Sequence, residues 1–196
     1  MPAVSDPVET DLIQRSQQGE VAAFDGLVLR YQGPIFNFVY RLLNHYDEAQ
    51  DVAQETFIRA YRGINGFRGE AMFSTWLYTI AANLARNRIR QNQRLRRVVA
   101  GSLDDPWGAE ANTPRYDAPD PRPAASGVIE AEERERIVWE AVHRLEEPYR
   151  TVVVLRDLQG LPYEQIAAIC QCELGTVKSR LARARDQLKR LLEGKL

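Results

Sequence analysis

Arginine recurs in this chain at spacings that would line it up on helices. Trp76, Thr79, Asn83, Arg86, Asn87, Arg90, Arg94 and Arg97 follow one another at steps of one, three or four residues, so a helix would gather them on one face. Leu77, Ile80, Ala81, Leu84 and Ile89 would take the other. Arginines neutralise phosphates, and an aromatic ring stacks on an unpaired base, so this face suits a nucleic-acid strand. The same pattern also fits a Trp76 that joins the core and arginines that merely keep the helix soluble. The helix alone leaves both readings open.

A second basic stretch is more specific. From Leu174 to Arg190 the chain carries Lys178, Arg180, Arg183, Arg185, Lys189 and Arg190 against a single acid, Asp186. It follows a short helical pattern, Tyr163 to Cys170, across Gln171-Cys172-Glu173. A short helix, a tight turn and a basic second helix make the helix-turn-helix arrangement, whose second helix enters the major groove by its N-terminal part. An ordinary helical hairpin with a basic surface is the competing reading. The small Ala167 and the inward position of Val177 favour DNA.

Other chemistries find little footing. There is no Gly-rich phosphate loop and no nucleophile–base set, so an enzyme is not expected. Cys170, Cys172, His45 and His143 do not have the spacing of a metal site, and neither metal nor cofactor is expected. Cys170 and Cys172 read as a small buried residue and a turn residue in a reducing cytosol. The formal charge of −1 averages 26 basic against 27 acidic residues and hides the local asymmetry. No apolar run approaches the ~20 residues of a membrane span, and the first residues lack a basic-then-apolar leader pattern. A cytoplasmic protein without membrane insertion is expected.

The elements that would position these residues read as helices throughout, an all-α fold. Asp6-Pro7-Val8-Glu9 is a capping start with proline at the first helical position. Val21, Phe24, Leu27, Val28 and Tyr31 make one apolar stripe, Gly33-Pro34 should break it, and Ile35, Phe38, Val39, Leu42 and Leu43 make the next. Asp47-Glu48-Ala49-Gln50 should cap a third helix, and Ser74 should cap a long one reaching about Arg97. Residues 98–127 hold five of the ten prolines, with five acids against two arginines, and read as an acidic, flexible linker. Residues 1–97 and 128–196 are then two small helical bundles, the second built on Ile129, Ile137, Val138, Ala141, Val142 and Leu145 and on the helices after Pro148 and Pro162.

Three strings carry a resemblance. Asp51-Val52-Ala53-Gln54-Glu55-Thr56-Phe57-Ile58-Arg59-Ala60-Tyr61 is similar to sigma region 2.2. Phe67-Arg68-Gly69, with Phe73-Ser74-Thr75-Trp76-Leu77-Tyr78-Thr79-Ile80-Ala81-Ala82-Asn83, resembles the start of the strand-opening region 2.3–2.4. Leu161-Pro162-Tyr163-Glu164-Gln165-Ile166-Ala167 and Gly175-Thr176-Val177-Lys178-Ser179-Arg180-Leu181-Ala182-Arg183-Ala184-Arg185 resemble region 4.2. In this order, with a linker between, the chain resembles an extracytoplasmic-function (ECF) sigma factor, the minimal type with regions 2 and 4 alone.

The resemblance implies a bacterial transcription initiation factor, expected in stress responses. Asp51, Gln54 and Glu55 would dock on the β′ clamp helices of core RNA polymerase, and region 4 on the β flap. Phe67, Arg68 and Asn83 would capture a flipped base of the −10 element, with Trp76, Arg86, Arg90 and Arg94 alongside. Thr176, Lys178, Ser179, Arg180 and Arg183 would recognise the −35 element, with Arg156 on a phosphate. Glu173 stands where members often have proline; it would cap the recognition helix or tune its approach, which leaves the −35 preference open. Fully extended, 30 linker residues reach roughly 100 Å, and their acidity would suit a basic channel of the polymerase. An anti-sigma partner is expected. The alternative function is a stand-alone helix-turn-helix regulator, which would need a dimer interface and has no use for the Trp76 helix.

Overall fold

The structure, a computed structural model, describes residues 6–102 and 126–195, with side chains over 6–95 and 133–195. Among the described residues every regular element is helical. The first module holds α1 (Pro7–Gln17), α2 (Val21–Leu43), α3 (Tyr46–Gly63), a 3-10 turn (Ile64–Gly66) and α4 (Phe73–Ser102). The second holds α5 (Ser126–Arg144), α6 (Glu147–Val153) running into a π turn (Val154–Leu158), α7 (Tyr163–Cys170) and α8 (Leu174–Leu192).

The capping signal at the start of α1 is realised. Asp6 Oδ1 accepts from the Val8 amide at 3.0 Å, with Pro7 at the first helical position. The cap of α3 is a correction. It is His45 rather than the acidic run: its Nδ1 accepts from the Glu48 amide at 3.3 Å, which leaves Asp47 and Glu48 in the first turn facing the positive end of the helix dipole.

Gly33-Pro34 does not break the chain either; α2 runs through Pro34 without interruption. Proline removes one ladder bond and crowds the preceding turn. Against that, Phe24, Leu27, Ile35, Phe38, Val39 and Leu42 are all buried on either side of it. Each large apolar side chain so buried contributes about 1.5–3 kcal/mol, and only a continuous helix keeps both halves on one face. At its far end α2 stops at Asn44, in the left-handed region at φ 54°.

The expected linker is shorter at both ends. Helix α4 continues through Val98, Val99 and Ala100 to Ser102, because nothing before Gly101 interrupts it, and α5 already includes Ser126 and Gly127. Residues 103–125, where the rest of the linker falls, lie outside the described residues.

Both modules share one apolar core. Helix α2 packs on α1, α3 and α4, and α6 and α7 pack on α8, while α4 also packs on α7. Ala81, Ala82 and Ala85 are all buried, so α4 presents small side chains to more than one neighbour. Polar contacts stitch the two modules together. Tyr78 Oη donates to Gln159 Oε1 at 2.6 Å, and Arg86 Nε to Glu147 Oε1 at 3.2 Å. Arg150 donates to the Leu42 carbonyl, in the last turn of α2, and to the carbonyls of His143 and Leu145. The Arg41 guanidinium lies 3.7 Å from the centre of the Trp139 ring and reaches Glu135.

Candidate functional site

Three surfaces carry the residues singled out above. The first is the outer face of α3. Val52, Ala53, Thr56 and Ala60 are buried, and Thr56 Oγ1 donates to the Val52 carbonyl, so the helix has a committed inner side. Asp51 and Gln54 are consequently exposed, and Glu55 is half-buried with its carboxylate 2.7 Å from Arg59. Beside them lies a groove of about 980 Å³, lined by Phe24, Val28, Phe36, Tyr46, Phe57 and Tyr61 among others, and Gln54 forms part of its rim. The groove is not apparent from sequence spacing. It lies between α2 and α3, and its aromatic walls come from both helices.

The second surface is the loop between α3 and α4 with the exposed side of α4. Phe67, Phe73 and Trp76 form an aromatic cluster, with ring centroids 5.3 Å apart for Phe67–Trp76 and 5.6 Å for Phe67–Phe73. Of the two readings of Trp76, the structure takes a middle course: the ring is half-buried and packs on the core through Phe73 and beside Gly63. Arg68 is exposed at the edge of the cluster. Asn83 is half-buried, and its Oδ1 accepts from Arg86 at 3.3 Å. Arg86 is therefore not on a free arginine ladder; it bridges Asn83 to Glu147 of the second module. Arg90 and Arg94 are exposed, while Arg97 lies among the residues whose side chains are not described. Acidic Glu48 meets the neighbouring turn through Asn92 and Arg88.

The third surface is α7–turn–α8. Gln171 closes α7 in the left-handed conformation at φ 52°, which turns the chain sharply into α8. Ile166, Ile169, Val177, Leu181 and Ala184 are buried between the helices, so the period of α8 is anchored. Lys178, Ser179 and Arg183 then project to solvent, and Thr176 and Arg180 are half-exposed. Ser179 Oγ donates to the Thr176 carbonyl, and Arg180 reaches the Cys172 sulfur at 3.8 Å. Glu173 precedes α8 but its side chain makes no capping bond, so it does not cap the recognition helix. Its carboxylate is exposed instead, close to the helix N-terminus. Arg156 is half-buried: it donates to the Leu161 carbonyl at 2.9 Å and lies over the Tyr163 ring, which gives it a structural task in the α6–α7 connection.

Cys170 and His143 behave as buried packing groups. Cys170 is buried, and burial pushes its thiol up to about 12, so it stays protonated. Burial, reinforced by Arg150 and Arg41, pushes the His143 imidazole down to about 4. Among the described residues no group of three or more His, Cys, Asp or Glu side chains is placed to hold a metal. No described helix is long and apolar enough to cross a membrane.

Known proteins give this geometry a context. Residues 27–95 match the model for Sigma-70 region 2, and residues 135–188 that for Sigma-70, region 4. The RNA polymerase sigma-H factor of Pseudomonas aeruginosa is 39% identical over 94% of this chain and 94% of its own length. The ECF RNA polymerase sigma-E factor of Haemophilus influenzae is 39% identical over 93% of this chain and 94% of its own. Among solved structures, the sigma factor RpoE of Bartonella quintana, in complex with the anti-sigma factor NepR, superposes with a TM-score of 0.65 at 26% identity, over 88% of this chain and 98% of that one. An exposed basic helix after a tight turn, an aromatic loop beside exposed arginines, and two family segments in this order place the chain in the ECF group of sigma-70-type sigma factors, which direct RNA polymerase to promoters.

Proposed function

We propose that this sigma factor divides promoter recognition among the three surfaces. The outer face of α3, with Asp51, Gln54 and Glu55, docks on the β′ clamp helices of core polymerase, and the second module also contacts the β flap. The aromatic loop and α4 capture the non-template strand of the −10 element: Phe67 and Trp76 wall a pocket, Arg68 and Asn83 meet the base, and Arg86, Arg90 and Arg94 hold phosphates. Helix α8 reads the −35 duplex with Thr176, Lys178, Ser179, Arg180 and Arg183. Arg156, which also braces the α6–α7 connection, contacts a phosphate of the same duplex.

The observation that carries the reading is the Phe67–Phe73–Trp76 cluster directly beside exposed Arg68. Extruding a base costs a few kcal/mol of stacking. An aromatic wall returns about 1–3 kcal/mol, and an amide that both donates and accepts can read the base edge. Arg86 is committed to Glu147 of the second module and Asn83 is bound to Arg86, so their use on DNA requires the two modules to part. Parting is also what the promoter demands, because the −10 and −35 elements are separated by about two helical turns of roughly 34 Å each.

An anti-sigma partner fits the same arrangement, since a protein that holds the modules together would keep α4 covered. The solved relative with an anti-sigma protein bound supports that expectation. The factor acts in the cytoplasm, where polymerase and chromosome meet. A stand-alone helix-turn-helix regulator would not account for likeness to sigma factors along nearly the whole chain.

The test is transcription in vitro with core polymerase on promoters selected by the wild-type chain. Asn83→Ala should bind core normally, open duplex promoters poorly, and regain much of its activity on a template already mismatched across the −10 element. Normal permanganate reactivity of the −10 thymines with Asn83→Ala would remove Asn83 from strand capture.

A further inference from the structure

The loop that carries Phe67 is held by a residue outside the segment that matches region 2. Helix α1 ends at Gln17, upstream of the matched residues 27–95. The Gln17 side-chain amide donates to the Ile64 carbonyl at 3.0 Å and to the Phe67 carbonyl at 2.8 Å. These two carbonyls bracket the 3-10 turn, Ile64–Gly66, from which Phe67 departs into extended backbone at φ −75°, ψ 114°. The Ile64 carbonyl also accepts from the Phe67 amide at 3.0 Å, so the turn is closed once by its own backbone and a second time by Gln17.

An –NH2 group has two donors diverging by roughly 120°, and here each meets a different end of one turn. That geometry sets the distance between the two carbonyls and thereby the direction in which the Phe67 ring leaves the backbone. The anchor itself is rigid on both sides. Ile13 and Ser16 of α1 are buried, Ser16 Oγ donates to the Leu12 carbonyl, and Ile64 is buried under the turn. On the far side the Phe67 ring rests against Phe73 and Trp76, but nothing in that cluster restrains the next residue, Arg68, which is exposed.

We infer that Gln17 is a positioning residue for base capture: its amide, reaching from α1, clamps the turn so that Phe67 and Arg68 meet the extruded base at a fixed height and angle. This rests on the strand-capture reading of the loop. Gln17 touches no base itself. A carboxylate in its place would face two carbonyl oxygens with no hydrogen to offer, so the role needs a donor and not merely a polar side chain of that length.

The experiment compares wild-type, Gln17→Leu, Gln17→Glu and Phe67→Ala chains with core polymerase, on a promoter selected from a randomised duplex library by the wild-type chain. Core affinity and thermal midpoint are measured first; open-complex yield and base preference at each −10 position are then measured on that promoter. Two neutral hydrogen bonds of ordinary strength correspond to about a tenfold change. Both Gln17 variants should therefore keep core affinity, lose about tenfold in open-complex formation, and lose base preference at the captured position while the other positions keep theirs. Gln17→Glu should be at least as impaired as Gln17→Leu. A purely structural α1 defect would lower core affinity and all base preferences together, and that result overturns the proposal. Wild-type base preference in Gln17→Glu overturns it as well, because the donor would then be dispensable. If Phe67→Ala also retains full preference, the strand-capture reading itself fails; if Phe67→Ala loses it and the Gln17 variants do not, only the positioning role is lost.

Discussion

On α8, Arg183 stands one turn beyond Ser179, exposed, on the side opposite buried Val177, Leu181 and Ala184. Among the described residues no hydrogen bond or ion pair holds it, unlike Arg185, which meets Asp157 at 3.1 Å. An arginine free in this way loses little by turning to a base edge. Arg183→Ala should cost about 1–3 kcal/mol of promoter affinity and relax preference at one −35 position. Binding assays over single-base promoter variants decide this, since a uniform loss across variants would make Arg183 a phosphate contact.

His143 offers a second residue-scale test. Among the described residues its Nδ1 has no partner, and burial with Arg150 and Arg41 nearby lowers its pKa from 6.5 to about 4. The neutral imidazole is thus the form the fold prefers. Its contribution to stability is present above pH 6.5 and is lost as pH falls through 4, on the order of 3 kcal/mol in all. His143→Leu should therefore show a shallower fall of the thermal midpoint between pH 6.5 and 4 than the wild-type chain.

At the scale of elements, the turn between α7 and α8 determines how the recognition helix is presented. Gln171 occupies the left-handed region, where a side chain carries a cost of about 1 kcal/mol that glycine escapes. Gln171→Gly should raise the stability of the second module by up to about 1 kcal/mol, seen as a higher thermal or denaturant midpoint, with unchanged promoter preference. The α7–α8 hairpin was legible from sequence because its evidence is local: the turn is three residues long, and the apolar positions of both helices repeat at helical steps. The cap of α3 was not. Asp47 and Glu48 fit a first turn as well as a cap, and only the backbone at His45, extended at φ −143°, identifies the boundary. Pro34 illustrates the converse. A local rule predicts a break, and the continuous buried stripe on both sides of it overrules that rule.

Across the whole molecule, the contact between modules rests on a few polar links around an apolar centre. Arg86 and Glu147 are each about one-fifth exposed, and Glu147 also accepts from Thr151 Oγ1. Glu147→Lys would set two cations together at this seam and leave Arg86 without its carboxylate. It should weaken the docking of the modules by about 1–3 kcal/mol. Small-angle scattering should then report a larger radius of gyration and limited proteolysis a faster cut between the modules, while helical content by circular dichroism stays the same. An unchanged radius of gyration would mean that the apolar contacts of α4 with α7 suffice to hold the modules together.

Sequence alone determined the all-helical class, the helix-turn-helix and the basic run after its turn, because each depends on spacing within a few turns of one chain segment. The outward placement of Asp51, Gln54, Lys178, Ser179 and Arg183 belongs to the same class, since buried neighbours three and four residues away dictate it. Tertiary structure alone decided that Trp76 leans on Phe67 and Phe73, that Arg86 is committed to Glu147, that Arg156 braces the α6–α7 connection, and that Gln17 closes a turn 47 and 50 residues away. Those pairings join residues with no periodic relation to one another, and a polar side chain on a helix can be satisfied by water as well as by a distant carbonyl. Which of the two it meets is settled only when the helices pack.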